Sequence, residues 1–275
     1  MPPGVVSLSD PAGKSKRLRG RKDALKFRNN DRKQASAPEG VRLYAIGDIH
    51  GRLDLLESLL SLIERDQKGR AGLPVLLIFL GDYVDRGPDS KGVVDRLIRG
   101  FAPPYMPVFL KGNHEDLLLS FLNDPVAGQN WLYNGGDTAL LSYGVRLETI
   151  RLAAWGGPEG LVEAVREFRG VLPEAHLHFY EGLRLFCRIG DYFFTHAGVR
   201  PNVPLDQQSE HDLLWIRKEF LNSKEDFGAV VVHGHTPNRD PQDFPNRIGL
   251  DTFAVGTGKL TAAGFEGSRR WFLST

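Results

Sequence analysis

Residues 41–51 read Val-Arg-Leu-Tyr-Ala-Ile-Gly-Asp-Ile-His-Gly, an apolar strand pattern that runs directly into a glycine-flanked Asp and His. Leucines follow at 55, 56, 59, 60 and 62, with the spacing of an amphipathic helix. The same order of strand, polar loop and helix recurs over residues 74–99 and again over residues 106–123. Three such units in succession predict an α/β fold, with helices packed on a layered, parallel or mixed sheet.

Residues 124–182 interrupt this order. Helical patterns cover 160–169 and 173–182 without a convincing strand, so we predict a helical insertion over about 124–182. Strand patterns then resume at residues 183–188, 192–195, 229–232, 247–250, 259–265 and 270–273, with a helix at about 210–221.

The chain has 275 residues, of which 41% are hydrophobic, enough for one main domain that we place at residues 41–275. Residues 1–40 carry ten Lys or Arg and four acidic residues. This basic N-terminal tail has too little apolar surface to offset the entropy of ordering, so we expect it to be mostly disordered. It is either a solvated leader or an arm that makes weak contacts with nucleic acid or an anionic surface.

Several classes of protein are excluded by composition. The single cysteine, Cys187, rules out a disulfide framework and a thiolate zinc cluster. No apolar run approaches the roughly 20 residues that span a bilayer, and residues 1–10 lack the pattern of a secretory signal. We therefore expect a cytoplasmic protein without a membrane span.

Polar side chains suited to binding a cation follow five of the predicted strands, in loops that contain glycine. The five loops are Gly47-Asp48-Ile49-His50-Gly51, Gly81-Asp82-Tyr83-Val84-Asp85-Arg86-Gly87, Gly112-Asn113-His114-Glu115, Thr195-His196-Ala197-Gly198 and Val232-His233-Gly234-His235-Thr236. One such loop is ordinary turn chemistry. Five on one predicted sheet edge, where α/β folds bind their ligands, indicate a shared site.

The donor types in these loops predict two metal ions. Oxygen and imidazole donors without sulfur suit Mn²⁺, Zn²⁺ or iron and argue against Cu(I) or an iron–sulfur cluster. Six candidate ligands are too many for one catalytic ion with an open position, whereas two ions about 3.5–4 Å apart that share a carboxylate account for them. Such a pair yields hydroxide from a bridging water at neutral pH, and a phosphate ester is its natural target.

The first three loops, with the later His196 and Gly234-His235, resemble the calcineurin-like metallophosphoesterases, specifically the phosphoprotein phosphatase branch. The resemblance covers about residues 41–265. Residues 130–136 and 214–217 also resemble segments of small bacterial and phage serine/threonine protein phosphatases. The resemblance implies a central β-sandwich flanked by helices, with two metals at the sheet edge.

The resemblance further implies a role for each matching residue. The metal ligands would be Asp48 and His50 for the first ion, Asp82 as the bridge, and Asn113, His196 and His235 for the second. His114 matches the general acid that protonates the leaving alkoxide, and Asp85 would orient its imidazole. The substrate phosphate would be bound by Arg86 and Arg217, together with Asn113.

The leading functional prediction is a phosphatase acting on phosphoserine and phosphothreonine in proteins by direct attack of water. A dinucleoside polyphosphate hydrolase, for example one acting on diadenosine tetraphosphate, shares the metal loops and is the alternative enzyme. The symmetrical tetraphosphatases typically have Ala in place of Asp85, and Asp in place of Glu115, which favours the phosphatase. Activity on phosphotyrosine or cyclic nucleotides stays open, and the alternative of another class is a nucleic-acid-binding module with a vestigial centre.

Two residues depart from the family pattern. Phe253 stands where relatives usually have Gly, which would alter the floor of the substrate cleft. His233 has no family role, and we expect it to pack or to support a ligand.

Overall fold

The structure is a computed structural model that describes residues 34–68 and 72–275. The strands within these residues are β1 (Arg42–Ile46), β2 (Val75–Phe79), β3 (Tyr105–Phe109), β4 (Phe186–Ile189), β5 (Tyr192–Thr195), β6 (Val230–His233), β7 (Gln242–Asp243), β8 (Arg247–Gly249), β9 (Thr261–Glu266) and β10 (Arg269–Ser274). The α-helices are α1 (Leu53–Lys68), α2 (Ser90–Ile98), α3 (Asn113–Asn123), α4 (Asp137–Ser142), α5 (Leu147–Trp155), α6 (Gly157–Val171), α7 (Glu174–Glu181), α8 (Glu210–Trp215), α9 (Lys218–Leu221) and α10 (Ala254–Thr257). None of these helices is long and apolar enough to cross a membrane.

The strands form two mixed, five-stranded sheets. The first has the order β10-β9-β1-β2-β3 and the second the order β4-β5-β6-β8-β7. Strands β1, β2 and β3 are parallel to one another, as are β5, β6 and β8. Each parallel set is in register, so the loops that leave its carboxyl ends emerge side by side.

An apolar core joins the two sheets face to face. Alternate residues of β1, Leu43 and Ala45, enter this core with Ile78 from the first sheet and Phe194 and Val232 from the second. The intervening residues of β1 point to the opposite face, because successive side chains of a strand alternate. The family-implied β-sandwich is therefore confirmed.

Helices cover the outer faces of both sheets. The outer face of the first sheet packs on α1, α2, α3 and the insertion, through residues such as Leu56 and Trp131. The outer face of the second sheet packs on α8 and α9, where Phe193 and Val231 contact Leu213 and Phe220.

Residues 124–182, where we predict the helical insertion, contain helices and turns and no strand. A π-type turn occupies Leu132–Gly136, and short 3₁₀ turns occupy Ala127–Gln129 and Leu205–Gln207. The helix predicted over 210–221 is broken into α8 and α9, because Ile216 and Arg217 leave helical geometry. Sequence reading also missed α4, α5 and the two-residue β7.

The predicted boundary of the tail at residue 40 is too late. Ala37 is 3% exposed, and its N–H donates to the carbonyl of Gly267 at 2.9 Å. The N–H of Ser36 donates to Asp191 at 3.0 Å. Residues 34–40 therefore pack on the catalytic domain, because their backbone groups find partners in its turns. The expected disorder of the basic stretch falls on residues 1–33, which lie outside the described residues.

Candidate metal centre and active site

The loops of both sheets meet at one edge. Backbone bonds tie them together, since the N–H of His50 donates to Asp82 at 2.8 Å and that of Gly234 to His196 at 2.8 Å. The six predicted ligands are all at most 4% exposed: Asp48, His50, Asp82, Asn113, His196 and His235. The structure thus brings together residues up to 187 positions apart in the chain.

Backbone strain is concentrated at this edge. Seven non-glycine residues among those described have a positive φ, and six of them lie in the loops that build the site: His50, Asp82, Asp85, Arg86, His235 and Phe253. Each such residue costs on the order of 1–3 kcal/mol and persists only where the surroundings enforce it. This clustering is typical of functional sites.

Two glycines allow the loops to approach closely. A Cβ on Gly234 would lie 1.9 Å from Oδ1 of Asp48, and one on Gly112 would lie 2.2 Å from Oδ1 of Asp82. Any side chain at either position would displace a candidate ligand. The glycines that flank the polar residues in sequence therefore have a steric reason to be there.

Asp82 stands between two groups of donors. Its Oδ2 lies 3.5 Å from Nε2 of His50, and its Oδ1 lies 3.4 Å from Nε2 of His196. The donor atoms of His50, Asp82 and His114 lie within 4.8 Å of one another, as do those of Asp82, His196 and His235. Each oxygen of this carboxylate thus faces a different group that could hold a cation.

Asn113 and Asp48 flank these groups. The amide oxygen of Asn113 lies 2.8 Å from Nε2 of His196 and 2.8 Å from Nδ1 of His235. Asp48 accepts the backbone N–H of His235 through Oδ2 at 2.9 Å. His114, rather than Asp48, completes the compact group around His50, whereas the family pattern places Asp48 beside His50.

Backbone carbonyls set the tautomers of two histidines. Nδ1 of His50 lies 2.8 Å from the carbonyl oxygen of Val84, and Nδ1 of His196 lies 2.8 Å from that of Leu80. A carbonyl can only accept, so the ring proton sits on Nδ1 and the Nε2 lone pair faces Asp82. Such contacts orient metal-binding histidines in proteins.

The buried carboxylates and neutral imidazoles of the site favour the binding of cations. Burial lowers the pKa of His50 to about 3, so its ring is neutral and can donate a lone pair. Burial and repulsion from Asp251 raise the pKa of Asp48, and burial raises that of Asp251 to about 6. The buried Oδ1 of Asp48 has no hydrogen-bond partner among the described residues. An orphaned carboxylate oxygen among crowded acids and neutral imidazoles fits the binding of divalent cations.

His114 and Asp85 form a buried pair beside this centre. Nδ1 of His114 lies 2.6 Å from Oδ2 of Asp85, and both residues are at most 1% exposed. Burial alone would lower the pKa of His114, but Asp82 and Asp85 together raise it above its ordinary value. The opposite ring nitrogen, Nε2, lies 3.9 Å from Asp82, so it faces the donor groups.

The two predicted phosphate-binding arginines lie at the exposed mouth of the site. Nη1 of Arg86 lies 2.8 Å from Nε2 of His50, and Nε of Arg217 donates to Nε2 of His235 at 3.0 Å. The break between α8 and α9 positions Arg217. A cleft of roughly 670 Å³ adjoins Arg86, and its other lining residues include Arg52, Asp54, Glu57, Pro88 and Val255.

Sequence reasoning gave no role in the site to three residues that shape it. The carboxylate of Glu115 accepts the N–H groups of Asp82, Tyr83 and Gly112 at 2.8–2.9 Å. Its position three residues after the helix N-cap, Gly112, is the Glu half of a capping box, in which the side chain accepts the N-cap N–H, and this spacing could have revealed it. Trp131 donates to Asp85, and Asp251 adds a carboxylate near Asp48. The position of Asp251 just after a strand is a sequence signal, whereas Trp131 has none that points to Asp85.

The two departures from the family pattern have structural explanations. Phe253 adopts left-handed geometry, with φ 56° and ψ 56°, which only glycine adopts without strain. Its ring packs over Gly256, and Val255 lines the cleft instead. His233 is 1% exposed and packs edge-on against Phe220 at 5.0 Å, in keeping with a packing role.

Comparisons with known proteins agree with this geometry. The family model described as calcineurin-like phosphoesterase matches residues 41–256. Serine/threonine-protein phosphatase 1 of Salmonella typhimurium is 29% identical over 227 residues, which cover 80% of this chain and 90% of that protein. The symmetrical bis(5'-nucleosyl)-tetraphosphatase of Legionella pneumophila (strain Lens) is 43% identical over 231 residues, which cover 79% of this chain and 65% of that protein.

A solved structure shows the same fold. The crystal structure of a candidate diadenosine tetraphosphatase superimposes with a TM-score of 0.56 and 25% sequence identity, and the match covers 86% of this chain and 98% of that chain. The relatives therefore share a fold and a family, while their names divide between two kinds of substrate.

Proposed function

The chain belongs to the calcineurin-like phosphoesterase family, and within it we propose a metal-dependent phosphatase that hydrolyses phosphoserine and phosphothreonine monoesters in proteins. The Asp85–His114 pair carries this proposal. A serine or threonine alkoxide is a strong base that must be protonated as it leaves, whereas a nucleotide phosphate leaves readily without a proton. A buried imidazole oriented by a carboxylate supports the first kind of reaction.

The residues present fit two divalent cations. We assign Asp48, His50 and the bridging Asp82 to one ion, and Asp82, Asn113, His196 and His235 to the other. When bound, the two cations neutralise phosphoryl oxygens and activate a water for attack on phosphorus. The oxygen and nitrogen donors suit Mn²⁺, with iron or zinc as alternatives.

The lone Cys187 supports a reducing cytoplasm as the compartment.

The chain's own groups complete the reaction. The forked donors of Arg86 and Arg217 bind and orient the phosphoryl oxygens from the mouth of the site, with Asn113 beside them. His114 donates the proton at Nε2 to the leaving oxygen, and Asp85 holds the Nδ1–H so that the ring keeps its orientation. The complete donor set supports an active enzyme over a nucleic-acid-binding module with a vestigial centre.

Hydrolysis of dinucleoside tetraphosphates is the second candidate. The Legionella relative with 43% identity bears the name of a symmetrical tetraphosphatase, which favours this candidate. The Salmonella relative, covered over 90% of its length, bears the name of a protein phosphatase. We expect both kinds of enzyme to share the loops that bind the metals, so one chain can resemble a protein phosphatase and a tetraphosphatase.

Phosphate release from a phosphothreonine peptide by the Mn²⁺-loaded full chain tests the proposal. We expect the wild type to turn over the peptide. We expect Asp82→Asn to lose both this turnover and the bound metal, which elemental analysis measures. Asp240→Asn is the matched control, because Asp240 is an exposed carboxylate paired with Lys259 at 2.6 Å. No release by the loaded wild type, or equal turnover by Asp82→Asn, would contradict the proposal.

A further inference from the structure

The indole of Trp131 contacts the pair proposed for proton donation. Trp131 is 0% exposed, and its Nε1–H donates to Oδ2 of Asp85 at 2.8 Å. The same oxygen accepts from Nδ1 of His114 at 2.6 Å. One carboxylate oxygen therefore receives two N–H groups, one from the imidazole and one from the helical insertion.

The Asp85 carboxylate accepts two hydrogen bonds within the described part of the chain, from His114 and from Trp131, and both fall on Oδ2. The other oxygen of this carboxylate, Oδ1, is buried and finds no hydrogen-bond partner in residues 34–68 and 72–275. The backbone of Asp85 is fixed by the hydroxyl of Ser90, which accepts its N–H at 3.0 Å, but that bond leaves χ1 and χ2 free. Among the hydrogen bonds of its carboxylate, only the indole N–H comes from a residue with no proposed part in the chemistry.

Rings from α3 and from the insertion pack against the indole. The ring of Trp131 lies 5.1 Å from that of Phe121 and stacks on that of Phe168 at 5.8 Å. A Cβ on Gly136 would lie 2.5 Å from the indole, so the turn that follows is shaped around the ring. A packed aromatic with one polar group aimed at one acceptor has little freedom to move.

A second bond from the same turn fixes the next residue. The backbone N–H of Arg86 donates to the carbonyl of Gly135 at 3.1 Å. Residues 131 and 135 of the insertion thus hold Asp85 and Arg86, which are adjacent in the catalytic loop.

We propose that Trp131 is a positioning residue, which holds the Asp85 carboxylate so that His114 keeps its Nε2 directed at the leaving oxygen. The proposal rests on the proposed function, because it takes His114 as the proton donor. It gives the insertion a part in the reaction: the insertion supplies the indole N–H that orients the Asp85–His114 pair.

Trp131→Phe removes the N–H and keeps an aromatic ring in the core. With the Mn²⁺-loaded full chain, we expect kcat on a phosphothreonine peptide to fall about tenfold or more, as the loss of an orienting partner commonly does. We expect KM, and kcat on p-nitrophenyl phosphate, to change little, because p-nitrophenolate leaves without a proton. Equal loss on both substrates, or no loss on the peptide, would overturn the proposal.

Two controls separate positioning from packing. Phe168→Leu disturbs the ring that stacks on Trp131 but leaves the indole N–H, so it should not change the ratio of the two kcat values. In an Asp85→Ala background, which removes the acceptor of both N–H groups, Trp131→Phe should add little to the loss on the peptide. Full additivity of the two losses would overturn the proposal.

The indole signal provides a test that needs no Trp131 variant. The chain has four Trp residues, and the ¹H–¹⁵N resonance of the indole bound to Asp85 should move in Asp85→Asn. An unchanged indole spectrum would overturn the proposal. If His114→Asn loses the same activity on the peptide and on p-nitrophenyl phosphate, the proposed function fails. If His114→Asn loses more on the peptide but Trp131→Phe does not, only the role of Trp131 fails.

Discussion

The carboxylate of Glu115 accepts the backbone N–H of Asp82 at 2.9 Å, which joins the loop after β3 to the loop after β2. Glu115 is 0% exposed, so a substrate cannot reach it. Glu115 is the residue that is typically Asp in the symmetrical tetraphosphatases. Its contacts show that it acts on the geometry of the loop that carries Asp82. It bears on substrate choice only through that geometry.

Glu115→Gln should destabilise the protein by about 1–3 kcal/mol, because an amide NH₂ would face backbone N–H groups that lose their acceptor. It should also weaken metal binding, since those N–H groups belong to the loop that carries Asp82. Urea unfolding and metal titration measure the two effects. Glu210→Gln, which removes a partly exposed partner of Lys111, should change stability by less than about 1 kcal/mol. Equal stability of the two variants would contradict the role given to Glu115.

His114→Asn should retain both metals. Its loss of turnover should be larger for a leaving group that needs a proton than for one that does not. We expect a loss of about 10²–10⁴-fold on a phosphothreonine peptide and a much smaller loss on p-nitrophenyl phosphate. Steady-state kinetics on the two substrates, with metal content measured in parallel, provides the comparison. The same loss on both would count against His114 as the proton donor.

Gly135→Ala should raise KM for the phosphopeptide several-fold with a smaller effect on kcat. Gly135 has φ 99°, and a Cβ would lie 2.8 Å from Cγ of Arg86, so the substitution displaces the side chain that we propose to bind phosphate. Gly144→Ala is the matched control, since Gly144 has φ 90° and its Cβ would meet nothing within 4 Å. A similar KM for the two variants would show that backbone strain, and not Arg86, is responsible.

A chain that begins at residue 41 should be less stable than one that begins at residue 34. The longer chain keeps the buried Ala37 and the bonds of residues 34–37, which we expect to stabilise the fold by about 1–3 kcal/mol. Thermal or urea unfolding of the two truncated proteins gives the difference. Coincident unfolding curves would show that residues 34–40 contribute nothing to the fold.

Local patterns predicted much of the fold and of the centre. The strand, polar loop and helix order located β1, β2 and β3, and glycine-flanked Asp and His residues at the strand ends located the donors. These signals are readable because strand periodicity and turn chemistry depend on residues close in sequence. The family resemblance then supplied the second sheet as a partner of the first.

The remaining features depend on contacts between distant parts of the chain. Trp131 meets Asp85 across 46 residues, and nothing in the sequence around either residue indicates the contact. The break at Arg217 lies within a continuous helical pattern and follows from its position beside His235. Residues 34–40 look like part of a polar tail, yet backbone hydrogen bonds to Gly267 and Asp191, which composition does not show, hold them in place.

The most direct test of the central claim is a competition between two substrates. The Mn²⁺-loaded full chain would be given equal concentrations of a phosphothreonine peptide and diadenosine tetraphosphate together, with Asp82→Asn as the blank. The ratio of initial rates then gives the ratio of the two kcat/KM values. We predict that the peptide is consumed at least about tenfold faster. Faster consumption of the tetraphosphate would contradict the account and make the protein a dinucleoside tetraphosphate hydrolase.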